Sequence, residues 1–166
     1  ARALATNPKL LLLDEPLGGM NPAEIDFSLQ AIANARASGV TVLIVEHNMQ
    51  ILSLCDRVVV ISFGQRICEG SPQEVRENEE VNPRTSVGNM ALLEARSLTV
   101  HYGTSMAIED VSLQVAQGDV VSIIGANGAG KSTLLRGLLG LKSLTSGEVC
   151  FEGERIDGTP TNQLVK

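Results

Sequence analysis

The chain has 166 residues, 43% of them hydrophobic and 19% charged, which suffices for one aliphatic core and excludes a disordered polymer. A net charge of −6, with one tyrosine, three phenylalanines and no tryptophan, argues against nucleic acid as a partner, because phosphate backbones are held by clustered basic residues and stacked aromatics. The longest apolar runs are strand-length, far short of the roughly 20 residues of a membrane-spanning helix. Cys55, Cys68 and Cys150 show no metal-like spacing and are expected to be reduced and structural.

In chain order, Ala1–Leu4 opens as if inside a helix, and Gln163–Lys166 stops without a terminating signal, so both ends read as cut. Lys9–Leu13 is predicted as a fully buried strand. Pro22–Ala37 follows as a helix, with Asn21 as its cap, Pro22 at the first helical position and Glu24 in the first turn. Val40–Glu46 is a second buried strand, rich in β-branched residues, and Met49–Leu54 a short helix. Arg57–Ser62 and Gln65–Glu69 form a hairpin around Phe63-Gly64. Strands without strict alternation, separated by helices, predict a parallel sheet covered on both faces.

Pro72–Asn89 is a short acidic helix running into a linker, with Glu74, Glu77, Glu79 and Glu80 followed by Asn82-Pro83 and Gly88-Asn89. Beyond it, Leu92–His101 and Ala107–Val115 are expected to pair antiparallel. Asp119–Ile124 is a buried strand, Lys131–Leu141 a helix, and Gly147–Glu152 a further strand. Neither block repeats the other.

Between that buried strand and its helix lies Gly125-Ala-Asn-Gly-Ala-Gly-Lys131-Ser132-Thr133, a match to G-x-x-x-x-G-K-[ST]. Its glycines, with Asn127 and Ala129 between them, allow a tight turn that aims successive N–H groups at phosphate oxygens, aided by the helix N-terminus. Lys131 is suited to the terminal phosphates, and the Ser132 hydroxyl to Mg²⁺. Upstream, Leu10-Leu-Leu-Leu13-Asp14-Glu15-Pro16 ends an apolar strand in two carboxylates. One can hold Mg²⁺, directly or through water, and its neighbour can polarise an attacking water. His47 ends the next strand, where its imidazole either contacts a terminal phosphate or is structural. Tyr102, in a turn, either stacks on a base or is an ordinary surface aromatic.

Together these motifs resemble the ATP-binding cassette (ABC) ATPases over nearly the whole chain. Ala1–Leu4, Pro8 and Leu10–Pro16 are similar to the helix end and Walker B strand after that family's signature motif, and Leu17–Asn21 to its D-loop, with Asn21 where many members carry Asp. His47 matches the switch histidine, and Ile67–Val75 resembles the strand and helix that close a cassette. Ala91–Lys166 looks like the start of a second cassette, with Tyr102 at the adenine-stacking position, Gly125–Thr133 as Walker A, and Ser146-Gly147-Glu148 at a turn typical shortly after it. The resemblance implies residues 1–80 as the tail of one cassette, 81–90 as linker and 91–166 as the head of another. The implied fold is an α/β P-loop core with a mostly parallel sheet and an antiparallel β subdomain, incomplete or circularly permuted and lacking the helical subdomain.

Within the family, Gly19-Met-Asn-Pro22, Val45-Glu-His-Asn-Met49 and His101-Tyr-Gly103 look most like importers of branched-chain amino acids or amides. The resemblance implies ATP and Mg²⁺ as cofactors. Gly125, Asn127, Gly128, Ala129, Gly130, Lys131, Ser132, Thr133 and Tyr102 would bind nucleotide, Asp14 and Ser132 the metal, and Glu15 and His47 would be catalytic. It implies transmembrane permease subunits and a second ATPase half as partners, at the cytoplasmic face of the cell membrane. No signature motif and no glutamine-loop segment occur, so nucleotide binding with little hydrolysis is expected. A nucleotide-binding or inert fragment without transport role stays open as an alternative. A soluble ABC ATPase of translation or repair is disfavoured by the lack of basic patches. The connector Pro72–Asn89, about 18 residues, can span about 20–25 Å, enough to let the two blocks fold together or to swap between two chains.

Overall fold

The computed structural model describes residues 8–77, 91–159 and 163. The expectations for Ala1–Leu4, for the 81–90 linker and for the chain's last three residues lie outside them. The described elements are β1 (Leu10–Asp14), α1 (Pro22–Ala37), β2 (Thr41–Glu46), a 3₁₀ turn (Met49–Ser53), β3 (Arg57–Ser62), β4 (Gln65–Gly70), α2 (Pro72–Glu77), β5 (Ala91–Tyr102), β6 (Ser105–Ala116), β7 (Val120–Ile124), α3 (Lys131–Leu138), β8 (Ser146–Phe151) and β9 (Glu154–Arg155).

Two sheets form. The first has the order β1-β2-β7-β3-β4, parallel except for the β3–β4 hairpin. The second, β6-β5-β8-β9, is antiparallel. Strand β7, from the second half of the sequence, lies between β2 and β3 of the first half. All five of its residues are buried, as are all six of β2, because both faces of the sheet are covered. On one face Leu43, Val45, Val59, Val121 and Ile123 pack with the second sheet and with Leu134 and Leu138 of α3. On the other face Val42, Ile44, Val58 and Val120 meet Ile32 and Ala35 of α1 and Ile51 and Leu52 of the 3₁₀ turn. The two halves therefore share both cores.

Helix α1 starts where the sequence places it: Asn21 accepts from the Glu24 N–H, and the Glu24 carboxylate accepts from the Asn21 N–H. Two expectations need correction. Strand β1 is not fully buried: it pairs only with β2, and of its leucines Leu11 alone is buried. A run of leucines signals an apolar environment but does not say whether a neighbour lies on both sides. Helix α3 ends at Leu138 rather than Leu141, since the chain turns at Gly140 with a φ of 67°.

Candidate functional site

The parallel register levels the strand tips. Asp14 of β1 sits opposite Val45 of β2, and Glu46 of β2 opposite Ile124 of β7. Asp14-Glu15, Glu46-His47 and Ile124-Gly125 thus emerge side by side at the C-terminal edge, where ligands of open parallel sheets bind.

The loop after β7 depends on glycine at its base. A Cβ on Gly125 would run into the carbonyl of Ile61, while Gly130 has a φ of 103° and a Cβ there would lie 2.8 Å from the Ala107 carbonyl. Among the described residues, the N–H groups of Gly128, Gly130, Lys131 and Ser132 meet no protein acceptor. They form a cradle of donors at the α3 N-terminus, suited to phosphate oxygens. Lys131 is 4% exposed, and its Nζ donates to the carbonyls of Gly125 at 3.0 Å and Ala126 at 3.2 Å.

Three predicted residues from the first half converge on this loop. The Ser132 hydroxyl donates to Asp14 Oδ1 at 3.0 Å. Glu15 Oε1 lies 3.7 Å from both Lys131 Nζ and His47 Nδ1, and Glu15 holds a left-handed backbone with a φ of 46°. Such a conformation is unusual for a residue with a side chain and is concentrated at functional positions. The hydroxyl–carboxylate pair fits Mg²⁺: both donors are hard oxygens, and about 3 Å is the separation of adjacent ligands in an octahedron of about 2.1 Å bonds. No group of three or more His, Cys, Asp or Glu that could hold a metal ion is found among the described residues.

Glu46 is a site residue that sequence reasoning passed over. Fully buried, its carboxylate accepts from the N–H of Leu17 at 2.8 Å, of His47 at 2.9 Å and of Asn48 at 3.1 Å. It ties the loop after Asp14-Glu15 to the loop carrying His47. A charged residue ending a wholly buried strand was the available signal.

Tyr102 lies at the edge of this group, against Thr133 of the loop. It closes β5, its ring lies under Lys142 Nζ at 4.5 Å, and Arg136, then Thr133, hold its hydroxyl below the ordinary tyrosine range. The cleft beside the loop, about 570 Å³, is lined by Glu15, Asn127, Lys131, Thr133, Phe63 and Met106 among others.

Residues 108–166 match the family model described as ABC transporter. The ribose import ATP-binding protein RbsA of Pseudomonas putida is 34% identical over 96% of this chain and 32% of its own length. The chain is similar to the ATP-binding proteins of ABC transporters. The arabinose import ATP-binding protein AraG of Pectobacterium atrosepticum is 32% identical over 93% of this chain and 32% of its own. A putative ABC transporter ATP-binding protein of Methanosarcina acetivorans is 28% identical over the whole chain and 34% of its own length. The chain thus spans about a third of the curated relatives it matches. Among solved structures, a nucleotide-free ATP-binding cassette from an ABC transporter is 36% identical over 45% of this chain and 30% of that chain, with a TM-score of 0.44. Among the described residues the fold is α/β, a mostly parallel sheet carrying a strand–loop–helix phosphate motif beside an antiparallel sheet. No helix among the described residues is long and apolar enough to cross a membrane.

Proposed function

We propose that this chain supplies a Mg-ATP site of an importer-type ABC ATPase. The observation that carries the reading is the meeting of loop and carboxylates: Ser132 on Asp14, and Lys131 within 3.7 Å of Glu15. In this reading the amides of Gly128 and Gly130 to Ser132 bind the phosphates together with Lys131, Gly125 sets the turn, and Asn127, Ala129 and Thr133 complete the loop. Asp14 and Ser132 hold the metal, Glu15 takes the proton of the attacking water, and His47 orients the terminal phosphate. Mg²⁺ supplies charge neutralisation on the phosphates.

The expectation of a branched-chain amino acid or amide as solute gives way to a sugar, because the relatives named for a solute are named for ribose or arabinose. This step travels by resemblance alone, since nothing in a nucleotide site touches the solute. Permease subunits and a second ATPase half at the cytoplasmic face complete the proposed assembly. The tail-plus-head organisation, with its boundary at residues 81–90, draws support from one alignment running through 96% of the chain within a single relative.

Calorimetric titration with Mg-ATP tests the reading. Binding that weakens on the order of 100-fold in Lys131→Ala is expected, the scale for truncating one partner of a buried charge-assisted contact. No binding by the unaltered chain favours an inert fragment.

A further inference from the structure

The β3–β4 hairpin, from the first half of the chain, walls the phosphate loop at both ends. At the loop's entry, the Ile61 carbonyl of β3 leaves no room for a Cβ on Gly125. At its exit, the Gly64 N–H of the hairpin tip donates to the Ala129 carbonyl at 3.0 Å. Gly64 is itself anchored from behind. Its carbonyl accepts from the Glu109 N–H of β6 at 2.8 Å, and Gln65 Nε2 donates to Glu109 Oε2 at 2.8 Å. A side chain does not fit at this position. Gly64 has a φ of 79°, and a Cβ on it would lie 2.7 Å from the Ala107 carbonyl oxygen, the atom that a Cβ on Gly130 would meet at 2.8 Å. Hairpin, β6 and loop therefore touch backbone to backbone.

The bond to Ala129 bears on the donor cradle through peptide geometry. The described chain has no cis peptide bond, and in a planar trans peptide the C=O and the N–H point in opposite directions. Fixing the Ala129 carbonyl against the hairpin fixes the Gly130 N–H on the other side of the same peptide. That N–H is one of the cradle donors that meet no protein acceptor among the described residues. A carbonyl that already accepts a hydrogen bond also polarises its peptide, which strengthens the N–H as a donor.

We propose that Gly64 is a positioning residue for phosphate: its N–H holds the Ala129–Gly130 peptide so that the Gly130 N–H is aimed at a phosphate oxygen of the bound nucleotide. The proposal rests on the nucleotide reading above and gives the first half of the chain a part in shaping the phosphate grip, beyond the carboxylates it supplies. Gly64 does not touch the phosphate. It acts through the loop, from a hairpin tip that belongs to none of the sequence motifs.

Calorimetry with Mg-tripolyphosphate reads the phosphate grip alone. Gly64→Ala is expected to weaken binding about tenfold or more, and Gly39→Ala to leave it within about twofold. Gly39 is the matched control: its φ is 82°, and no described atom lies within 4 Å of a Cβ built there, so it carries the same backbone penalty away from the loop. A second variant deletes the donor and nothing else. Glycolic acid in place of Gly64 turns the N–H into an ester oxygen, and binding is expected to weaken about fivefold. In amide NMR spectra, the shift of the Gly130 N–H on adding Mg-tripolyphosphate is expected to shrink in the glycolate variant while that of Ser132 persists. Affinity within about twofold of the unaltered chain in the glycolate variant, with binding still dependent on Lys131, overturns the positioning role and leaves the nucleotide reading standing. Equal losses in Gly64→Ala and Gly39→Ala overturn it as well, since the effect then follows backbone strain in general. Failure of the unaltered chain to bind the probe overturns both readings.

Discussion

The Ser132 hydroxyl donates to the Asp14 carboxylate at 3.0 Å across 118 positions of sequence. The two meet because β7, which leads into the loop of Ser132, pairs with β2, which pairs with β1. In the linear chain the acidic strand precedes the phosphate loop; in space the order of the strands makes that inversion immaterial.

In the proposed reading Glu15 activates water, and Glu15→Gln keeps its shape while removing its charge. The slow phosphate release expected of this chain should drop on the order of 100-fold in Glu15→Gln, the lower range for loss of a general base, with Mg-ATP binding kept within about threefold. Equal release rates in the two proteins would move the base elsewhere.

Glu46 holds three backbone donors from a fully buried position. Glu46→Ala is expected to cost about 3 kcal/mol or more, since orphaned buried donors lose about 1–3 kcal/mol each. Glu46→Gln, which retains an acceptor oxygen, is expected to lose less. Urea unfolding measures both; a change below about 0.5 kcal/mol in the alanine variant would deny Glu46 this positioning role.

Because β7 sits between β2 and β3, the two halves are expected to fold as one unit. A specific protease site introduced between residues 81 and 90 should yield, on cleavage, two fragments that co-elute in gel filtration and unfold in one transition. Two soluble fragments eluting apart would contradict the shared sheet. A species of twice the mass before cleavage would indicate exchange of the halves between two chains.

Burial pushes the Cys55 thiol up to about 12, with Ser122 opposing the shift and Asp56 adding to it. The neutral thiol is the form the fold accommodates, whereas the unfolded chain ionises near its ordinary value of 9.0. The stability it contributes is thus fully present below about pH 9 and lost as the pH rises toward 12. Urea unfolding at pH 7, 9 and 10.5 should show a steeper alkaline decline in the unaltered protein than in Cys55→Ala. Parallel declines would place the cause elsewhere.

Much of the site was legible because its chemistry is local. The loop from Gly125 to Thr133 needs glycines, lysine and a hydroxyl at fixed spacing, and Asp14-Glu15 needs only a strand to end on. The capping pair Asn21 and Glu24 was visible for the same reason. The side chains around Tyr102 were not, since a turn residue's neighbours depend on what packs beside it, here Lys142, Arg136 and Thr133. That Phe63 lines the cleft gave no signal, because a hairpin tip is ordinarily solvent-facing and its neighbours Met106 and Ala107 come from the other half of the chain.

Residue type and spacing were enough to mark the candidate phosphate loop, the candidate metal carboxylate and most strands, since these follow from periodicity and from groups within a few positions of one another. Burial of β2 and β7, exposure of β1, the three donors on Glu46 and the joining of Asp14 to Ser132 all came from strand order. Strand order is a property of long-range pairing: apolar residues state that they must be covered, and only the assembled sheets state by what.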